Sequence, residues 1–116
     1  MTVWVITPFF ETGRRLCRML RDGGTADIRT QSRLPQTASP GDLLLIYSRE
    51  QITALIRQAG ALAQQCGCQA VLLLDADQYA RHLDAARANG IGLQLMPVSY
   101  QTLLDMLQTG QTALSC

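Results

Sequence analysis

The sequence predicts a three-layer α/β fold in which a parallel five-stranded sheet is covered by helices on both faces. Short apolar runs with hardly any polar alternation recur along the chain, and strands buried on both faces have this pattern. Amphipathic segments lie between the runs, as the crossover connections of parallel strands require. With 116 residues, of which 47% are hydrophobic, the chain is long enough for one core and one domain.

The first two strands and the first helix come from the N-terminal third. Residues 2–7 are mostly β-branched and aromatic and are followed by Pro8, which predicts a buried strand. Residues 11–22 have apolar positions at helical spacing and precede two glycines, which predicts a helix. A short strand is expected over residues 26–30. Residues 31–41 are polar with two prolines and predict a loop or at most one helical turn.

The middle of the chain repeats the alternation of strand and helix. Residues 42–47 and 69–74 are buried-strand patterns, and residues 52–66 have the three-and-four apolar spacing of an amphipathic helix. Asp75 or Asp77 can cap the helix that comes next.

The last two helices and the last strand are bounded by short signals. The helix after the fourth strand is expected to end at Asn89-Gly90, and a strand over residues 92–96 stops at Pro97. Ser99 is the predicted cap of a final helix with one apolar stripe.

These elements favour the flavodoxin-like strand order 2-1-3-4-5, the natural choice at this size. The carboxyl ends of strands one, three and four then line one crevice, where open α/β sheets usually bind ligands.

The element order, the segment lengths and the Met96-Pro97 ending resemble the receiver domain of two-component response regulators over nearly the whole chain. The resemblance implies a receiver-like, flavodoxin-like sandwich over residues 1–110. Its second helix is expected to be short or missing, because residues 31–41 leave little room for it. Residues 111–116 are expected to form a flexible tail or the start of a linker to an effector domain.

The resemblance places other residues where receivers carry their phosphorylation site. Thr7 and Pro8 stand at the acidic pair that holds magnesium, and neither is a competent ligand for a hard cation. Tyr47 stands at the phosphorylated aspartate, and its phenol cannot form an acyl phosphate. Asp75 replaces the hydroxyl residue that contacts the phosphoryl group, which it would repel.

The fifth strand departs from the pattern as well. Met96 stands at the receiver lysine, in a chain whose ten basic residues are all arginine. Leu93 stands at the switch aromatic. Pro97 is kept, at a position where receivers usually hold a cis bond. The resemblance therefore implies a degenerate pseudo-receiver without catalytic residues, cofactor or bound metal.

We expect such a domain to act as a protein interaction or dimerisation module in a bacterial regulatory protein or complex. By analogy with receivers, a protein partner or a second copy would bind on the surface that corresponds to the fourth helix, fifth strand and fifth helix of a receiver. The candidate residues, whose helical stripe also fits the core, are Tyr79, Leu83, Tyr100 and Leu104.

The alternative hypothesis is a small-molecule or nucleotide sensor that uses the strand-end crevice. Its candidate residues are Thr7, Ser48, Arg49 and Asp75, since Arg49 could meet an anionic ligand. The loop over residues 7–13 is a poor phosphate cradle, however, because it lacks the glycine-rich or hydroxyl-rich character that such loops need.

Two features of the first loop and helix allow two interpretations each. Phe9 and Phe10 would cover the crevice or the core edge, or else form a contact surface. Arg14, Arg18 and Arg21 share one helical face, either as a solvated face or as a basic contact face for an acidic partner or a phosphate backbone. The net charge of +1 gives no general attraction to nucleic acid, and direct binding of it is not expected.

Metal sites are not expected. Asp75 and Asp77 could hold a cation, but acids at a helix start are more often caps. Cys66-Gly-Cys68 lacks the two-residue spacing of zinc motifs. The single histidine, His82, is interpreted as a surface residue.

The chain is expected to be cytoplasmic with reduced thiols. Its four cysteines are fewer than a disulfide-stapled secreted domain would carry, and no signal-peptide pattern is present. The apolar runs, such as residues 71–74, are far shorter than the roughly 20 residues of a membrane span.

Overall fold

The computed structural model describes the backbone of residues 1–115 and the side chains of residues 1–107. The described residues form five strands and four helices, which alternate except that the second and third strands are consecutive. In order they are β1 Val3–Ile6, α1 Phe10–Asp22, β2 Ile28–Gln31, β3 Leu43–Tyr47, α2 Ile52–Cys66, β4 Gln69–Leu74, α3 Ala76–Ala88, β5 Gly92–Leu95 and α4 Tyr100–Ser115.

All strands are parallel and their order is β2-β1-β3-β4-β5, which confirms the predicted flavodoxin-like topology. The register sets Ile6 beside Ile46 and Tyr47 beside Leu73. The ends of β1, β3 and β4 therefore lie at the same level. β2 and β5 are the two edges of the sheet.

Each face of the sheet has its own core, because successive side chains of a strand point to opposite faces. One core joins Leu44, Ile46 and Leu72 to buried residues of α2 and α3. The other joins Val5 and Leu45 to buried residues of α1 and α4. β3 is buried along its whole length, as expected for the central strand of a three-layer sandwich.

The connection between β2 and β3 contains no helix, which confirms the prediction of a short or missing second helix. Leu34 and Ala38 of this connection pack against the first core. The connection is also held by Asp42, whose carboxylate is 4% exposed. It accepts hydrogen bonds from the Thr2 amide at 3.0 Å, the Trp4 indole at 3.1 Å and the Ser39 amide at 2.9 Å.

These hydrogen bonds determine the ionisation of Asp42. Burial acts to raise its pKa, but the backbone amides of Ser39 and Thr2 and the indole of Trp4 outweigh burial and lower it. Asp42 is therefore a charged, fully bonded anchor at the amino-terminal edge of the sheet, opposite the strand-end crevice.

Several element ends differ from the sequence predictions. α1 begins at Phe10, one residue early, and β2 is shifted to Ile28–Gln31. The β2 pattern is weak because the strand lies at an edge and is mostly exposed. α4 continues to Ser115, past Gly110 where order was expected to fade. Ser99 does cap α4, since its hydroxyl accepts the Thr102 amide at 3.1 Å.

Among the described residues, no helix is both long enough and apolar enough to cross a lipid bilayer.

Candidate functional site

The strand-end crevice is filled by the chain's own side chains. Tyr47 is the last residue of β3, and Asp75 follows β4 directly. Because Tyr47 lies beside Leu73, Asp75, two residues further on, points to the same face of the sheet as Tyr47. The register thus brings the phenol and the carboxylate together.

The Tyr47 hydroxyl donates to the Asp75 carboxylate, at 3.1 Å from Oδ1 and 3.2 Å from Oδ2. Tyr47 is 3% exposed. Asp75 occupies the N-cap position of α3, but its side chain makes no hydrogen bond to the helix amides. The prediction that Asp75 or Asp77 caps α3 with its side chain is therefore wrong for Asp75, because the neighbouring phenol competes for the carboxylate. Asp77 lies in the first turn of α3 instead.

Arg49 completes the polar part of the site. Its Nε donates to the Tyr47 hydroxyl at 3.0 Å and lies 3.4 Å from Asp75 Oδ2. The hydrogen bond with Tyr47, together with the charge of the Asp75 carboxylate, raises the pKa of Arg49. The side chain stays largely exposed, so the ion pair with Asp75 is a surface pair.

Phe9 closes the site from the β1 side. Its ring lies 5.5 Å from the Tyr47 ring at an interplanar angle of 52°, and the Arg49 guanidinium lies 5.2 Å from the Phe9 ring centre. Both geometries are attractive, as an aromatic pair and a cation–π contact. Phe9, Tyr47, Arg49 and Asp75 are called the crevice cluster below.

The hydroxyls that were candidates for ligand binding are engaged locally. Thr7 Oγ accepts the Phe9 amide at 3.1 Å. Ser48 Oγ donates to the Glu50 carbonyl and lies 3.3 Å from the Glu50 amide. Of the predicted ligand residues, the structure brings Arg49 and Asp75 together, and they pair with each other. Pro8 is exposed beside Thr7.

The crevice cluster differs from a receiver phosphorylation site in the state of its carboxylate. A receiver-type reaction needs a free carboxylate, a bound cation and a mobile ammonium group. Here the carboxylate is hydrogen bonded and paired. In the part of the chain whose side chains are described, no three metal-ligating residues cluster together.

The fifth strand carries the remaining receiver positions. The Met96-Pro97 peptide bond is cis, as the resemblance implied. Met96 packs against the core beneath α1 and α4, and Leu93 packs against the opposite core. Both side chains therefore serve packing.

The four predicted partner residues differ in exposure. Tyr100 is exposed, whereas Tyr79 is half-buried against the first core. Leu83 is half-buried on α3. Leu104 lies against the C-terminal end of α1, since a Cβ at Gly23 would come within 2.6 Å of its Cδ2. The helical stripe of α4 thus faces α1, and of these four residues Tyr100 remains the exposed candidate.

The two phenylalanines of the first loop have different roles. Phe9 lies at the core edge, as predicted. Phe10 is 74% exposed, so for Phe10 the core interpretation is wrong. Phe10 is the first residue of α1 and points away from the sheet. The Arg14 guanidinium lies 5.9 Å from the centre of its ring.

The predicted basic face is real as a geometric feature. Arg14, Arg18 and Arg21 all line one groove of about 610 Å³ between α1 and the end of β2. This groove adjoins the crevice cluster, since Phe9 belongs to the cluster and also lines the groove.

The cysteines and the histidine show no reactive arrangement within the described side chains. Cys17, Cys66 and Cys68 are free thiols, and burial raises the pKa of Cys17 and of Cys68. Cys66 Sγ accepts the Ala38 amide at 3.4 Å. His82 Nε2 lies 3.1 Å from Gln78 Oε1 one helical turn away.

Sequence reasoning missed two features. It did not identify the Asp42 anchor or the bond between Tyr47 and Asp75. The bond between Tyr47 and Asp75 did have a signal in the sequence. In this topology a tyrosine at the end of one strand and an acid just beyond the neighbouring strand lie within reach of each other.

Comparison with solved structures establishes the fold. A protein of Burkholderia thailandensis E264, described as a pilus assembly protein (cpaE), superposes with a TM-score of 0.76 and 19% identity, over 97% of this chain and 98% of that one. A response regulator of Colwellia psychrerythraea gives 0.72 and 12%, over 97% of both chains. An uncharacterised protein of Neptuniibacter caesariensis gives 0.74 and 16%, over 96% and 87%.

No protein-family model and no curated protein sequence matches the chain. At these identities the likeness concerns the fold, and the chain has the receiver-like fold.

Proposed function

We propose that this chain is a pseudo-receiver, a regulatory domain that acts through protein contacts without phosphorylation or catalysis. The observation that carries the proposal is the Tyr47 hydroxyl, bonded to both Asp75 and Arg49 at the strand ends. In a receiver this place is kept for a phosphoryl group. Here it is taken by an internal network.

The crevice cluster supports a fixed rather than a switched state. Tyr47 is buried, and Arg49 contacts both the Tyr47 hydroxyl and the Asp75 carboxylate. Asp75 is the one acid of the cluster, and an acyl phosphate on it would have to break both contacts. Among the described residues no group of three acidic, histidine or cysteine side chains is placed to hold a magnesium ion with Asp75.

The fold likeness supports a regulatory context. One structural neighbour is described as a response regulator and another as a pilus assembly protein. We propose a bacterial regulatory protein or complex as the setting, with the cytoplasmic location that the cysteine content predicts. An effector domain after residue 116 stays a prediction, tested by the intact mass of the native protein against 12.7 kDa.

Exposed apolar side chains support a contact surface beside β5. Leu95 is 43% exposed at the end of this edge strand, and Tyr100 is 41% exposed at the start of α4. Large exposed apolar residues at an open sheet edge are typical of interaction surfaces. We propose that this surface, around Leu95 and Tyr100, binds a second copy of the chain.

Light scattering at several protein concentrations tests this proposal. Tyr100→Arg is expected to weaken self-association about tenfold without lowering the melting temperature, because it places a charge in an apolar contact. Gln58→Arg adds the same side chain on the exposed side of α2 and is expected to leave association unchanged. A wild-type monomer at all concentrations, or loss of the fold in Tyr100→Arg, would contradict the proposed dimer.

A further inference from the structure

A groove beside β2 combines positive charge with an open strand edge. It has a volume of about 610 Å³ and extends from the first turns of α1 to the end of β2. Its charged lining residues are Arg14, Arg18 and Arg21, with one acid, Asp22. Within the described side chains none of the three arginines forms an ion pair. The groove therefore carries excess positive charge.

The strand beside the groove has free hydrogen-bonding groups. The Asp27 carbonyl accepts the Val3 amide and the Gln31 carbonyl accepts the Thr7 amide, both at 3.0 Å. These groups point toward β1. Because backbone groups alternate along a strand, Ile28 and Thr30 present their N–H and C=O at the outer edge. β2 is an edge of the sheet, so these groups are open to another strand.

We propose that this groove binds an extended acidic segment of a partner protein as a sixth strand beside β2. Main-chain hydrogen bonds to Ile28 and Thr30 would hold the segment, and carboxylates on its α1 side would meet the arginines. Strand addition at an open edge with side-chain pockets on one face is a general mode of peptide recognition. Guanidinium groups suit the binding of an acidic segment, because they bind carboxylates through two parallel hydrogen bonds.

The spacing of the arginines specifies the acidic pattern. Arg14 and Arg21 are seven residues apart, about 10 Å along a helix. Three alternate residues of a strand span about 13 Å. Side chains of alternate strand residues point to the same face. A segment with an acid at every second position would therefore place three carboxylates beside Arg14, Arg18 and Arg21.

The proposal is independent of the proposed dimer. β2 and β5 are opposite edges of the sheet, so the groove and the surface around Leu95 and Tyr100 are separate. Failure of one proposal leaves the other intact.

Fluorescence anisotropy with labelled eleven-residue peptides tests it. The probe alternates Glu and Thr, and the control peptide has the same composition with its glutamates in one block. The alternating peptide is expected to bind at least tenfold more tightly. Two further probes carry backbone N-methyl groups, at every Glu or at every Thr. Because the N–H groups of alternate residues share one edge, one methylated peptide is expected to lose binding tenfold or more and the other to keep it.

Protein variants provide the second arm. Arg18→Glu is expected to weaken binding of the alternating peptide about tenfold, since it turns an attraction into a repulsion. Arg15→Glu makes the same change on α1 outside this groove and is expected to change binding less than twofold. Arg18→Gln serves if Arg18→Glu lowers the melting temperature.

Any of four results with the peptides and variants would overturn the proposal, as would a fifth with an oligonucleotide. These are no binding at millimolar peptide, equal binding of the block peptide, equal binding of both methylated peptides, and equal effects of Arg15→Glu and Arg18→Glu. Equal binding of a single-stranded oligonucleotide of the same charge would also overturn it and assign the groove to polyanions in general.

Discussion

The Asp75 carboxylate accepts the Tyr47 hydroxyl at 3.1 and 3.2 Å from its two oxygens, across the ends of neighbouring strands. Taken alone, Tyr47 is a core tyrosine at a strand end and Asp75 is an acid at a helix start, and both are ordinary roles. Together with Arg49 they make a network at the place where the receiver fold would carry out phosphoryl transfer. The proposed phosphorylation-independent role depends on this network.

Removal of the Tyr47 hydroxyl tests its contribution to stability. Tyr47→Phe is expected to lower the free energy of unfolding by about 1–2 kcal/mol, because it deletes the hydrogen bonds of this hydroxyl with the charged groups of Asp75 and Arg49, which water can partly replace. Urea unfolding measures the change. Tyr100→Phe removes an exposed phenol and is expected to change stability by less than about 0.5 kcal/mol. Equal stability of Tyr47→Phe and wild type would show that the bond is not stabilising.

The ion pair between Arg49 and Asp75 is expected to be weak. The pair is 3.4 Å long and solvent-exposed, and exposed pairs usually contribute about 0.2–1 kcal/mol. A double-mutant cycle with Arg49→Ala and Asp75→Asn measures the coupling, which should fall in high salt. Coupling well above about 1 kcal/mol that persists in 1 M salt would mean that the pair is less hydrated than its exposure implies.

Asp42 predicts a pH dependence of stability. Its pKa is lower in the folded chain than in the unfolded chain, so the unfolded chain takes up the proton first as the pH falls. The stabilisation is complete above about pH 5 and is lost as the pH falls through the folded pKa.

Asp42→Asn is expected to cost about 1–3 kcal/mol at neutral pH, because its amide group cannot accept the amide and indole hydrogen bonds that both carboxylate oxygens now accept. Its unfolding free energy should also vary less than that of the wild type between pH 5 and pH 3. Urea unfolding across this range measures both effects. Exposed Asp84 provides the matched Asp→Asn control, and an unchanged pH profile in Asp42→Asn would contradict the role of Asp42.

Gly60→Ala is expected to destabilise the protein, which is opposite to the usual effect of a glycine-to-alanine substitution inside a helix. Replacing glycine with alanine inside a helix usually stabilises it by about 1 kcal/mol. At Gly60 a Cβ would lie 2.6 Å from the Asn89 carbonyl oxygen and 2.9 Å from Asn89 Cβ, so α2 must move away from the end of α3. Gly60→Ala is therefore expected to lower the melting temperature, and a higher melting temperature would show that this packing can relax.

Because the side chains of the crevice cluster contact one another, nucleotides are not expected to bind in the crevice. A thermal-shift screen with nucleotides and cyclic dinucleotides at millimolar concentration is expected to show no stabilisation, because Arg49 is held by Tyr47 and Asp75. A shift abolished by Arg49→Ala would support the sensor hypothesis instead.

The sequence was sufficient for the fold because the buried strands and the α2 stripe carry strong periodic patterns. Its weakest prediction was β2, an exposed edge strand of four residues whose pattern is hardly apolar. The sequence also predicts a tail from residue 111 onward, whereas the backbone of α4 extends to Ser115.

For the site, the sequence located Tyr47, Arg49 and Asp75 but not their contacts. Whether an acid at a helix start caps the helix or binds a neighbouring side chain depends on the register between strands. The same limit applies to Phe9 and Phe10, whose different exposure follows from the residue at which α1 begins.

The proposed independence from phosphorylation is tested by incubating the protein with acetyl phosphate and Mg²⁺ and measuring its intact mass and light scattering. The intact mass and the association state are expected to stay unchanged, and beryllofluoride is expected to have no effect on either. A phosphoryl adduct on Asp75 that also changes association would contradict the claim and show that the crevice works as a phosphorylation switch.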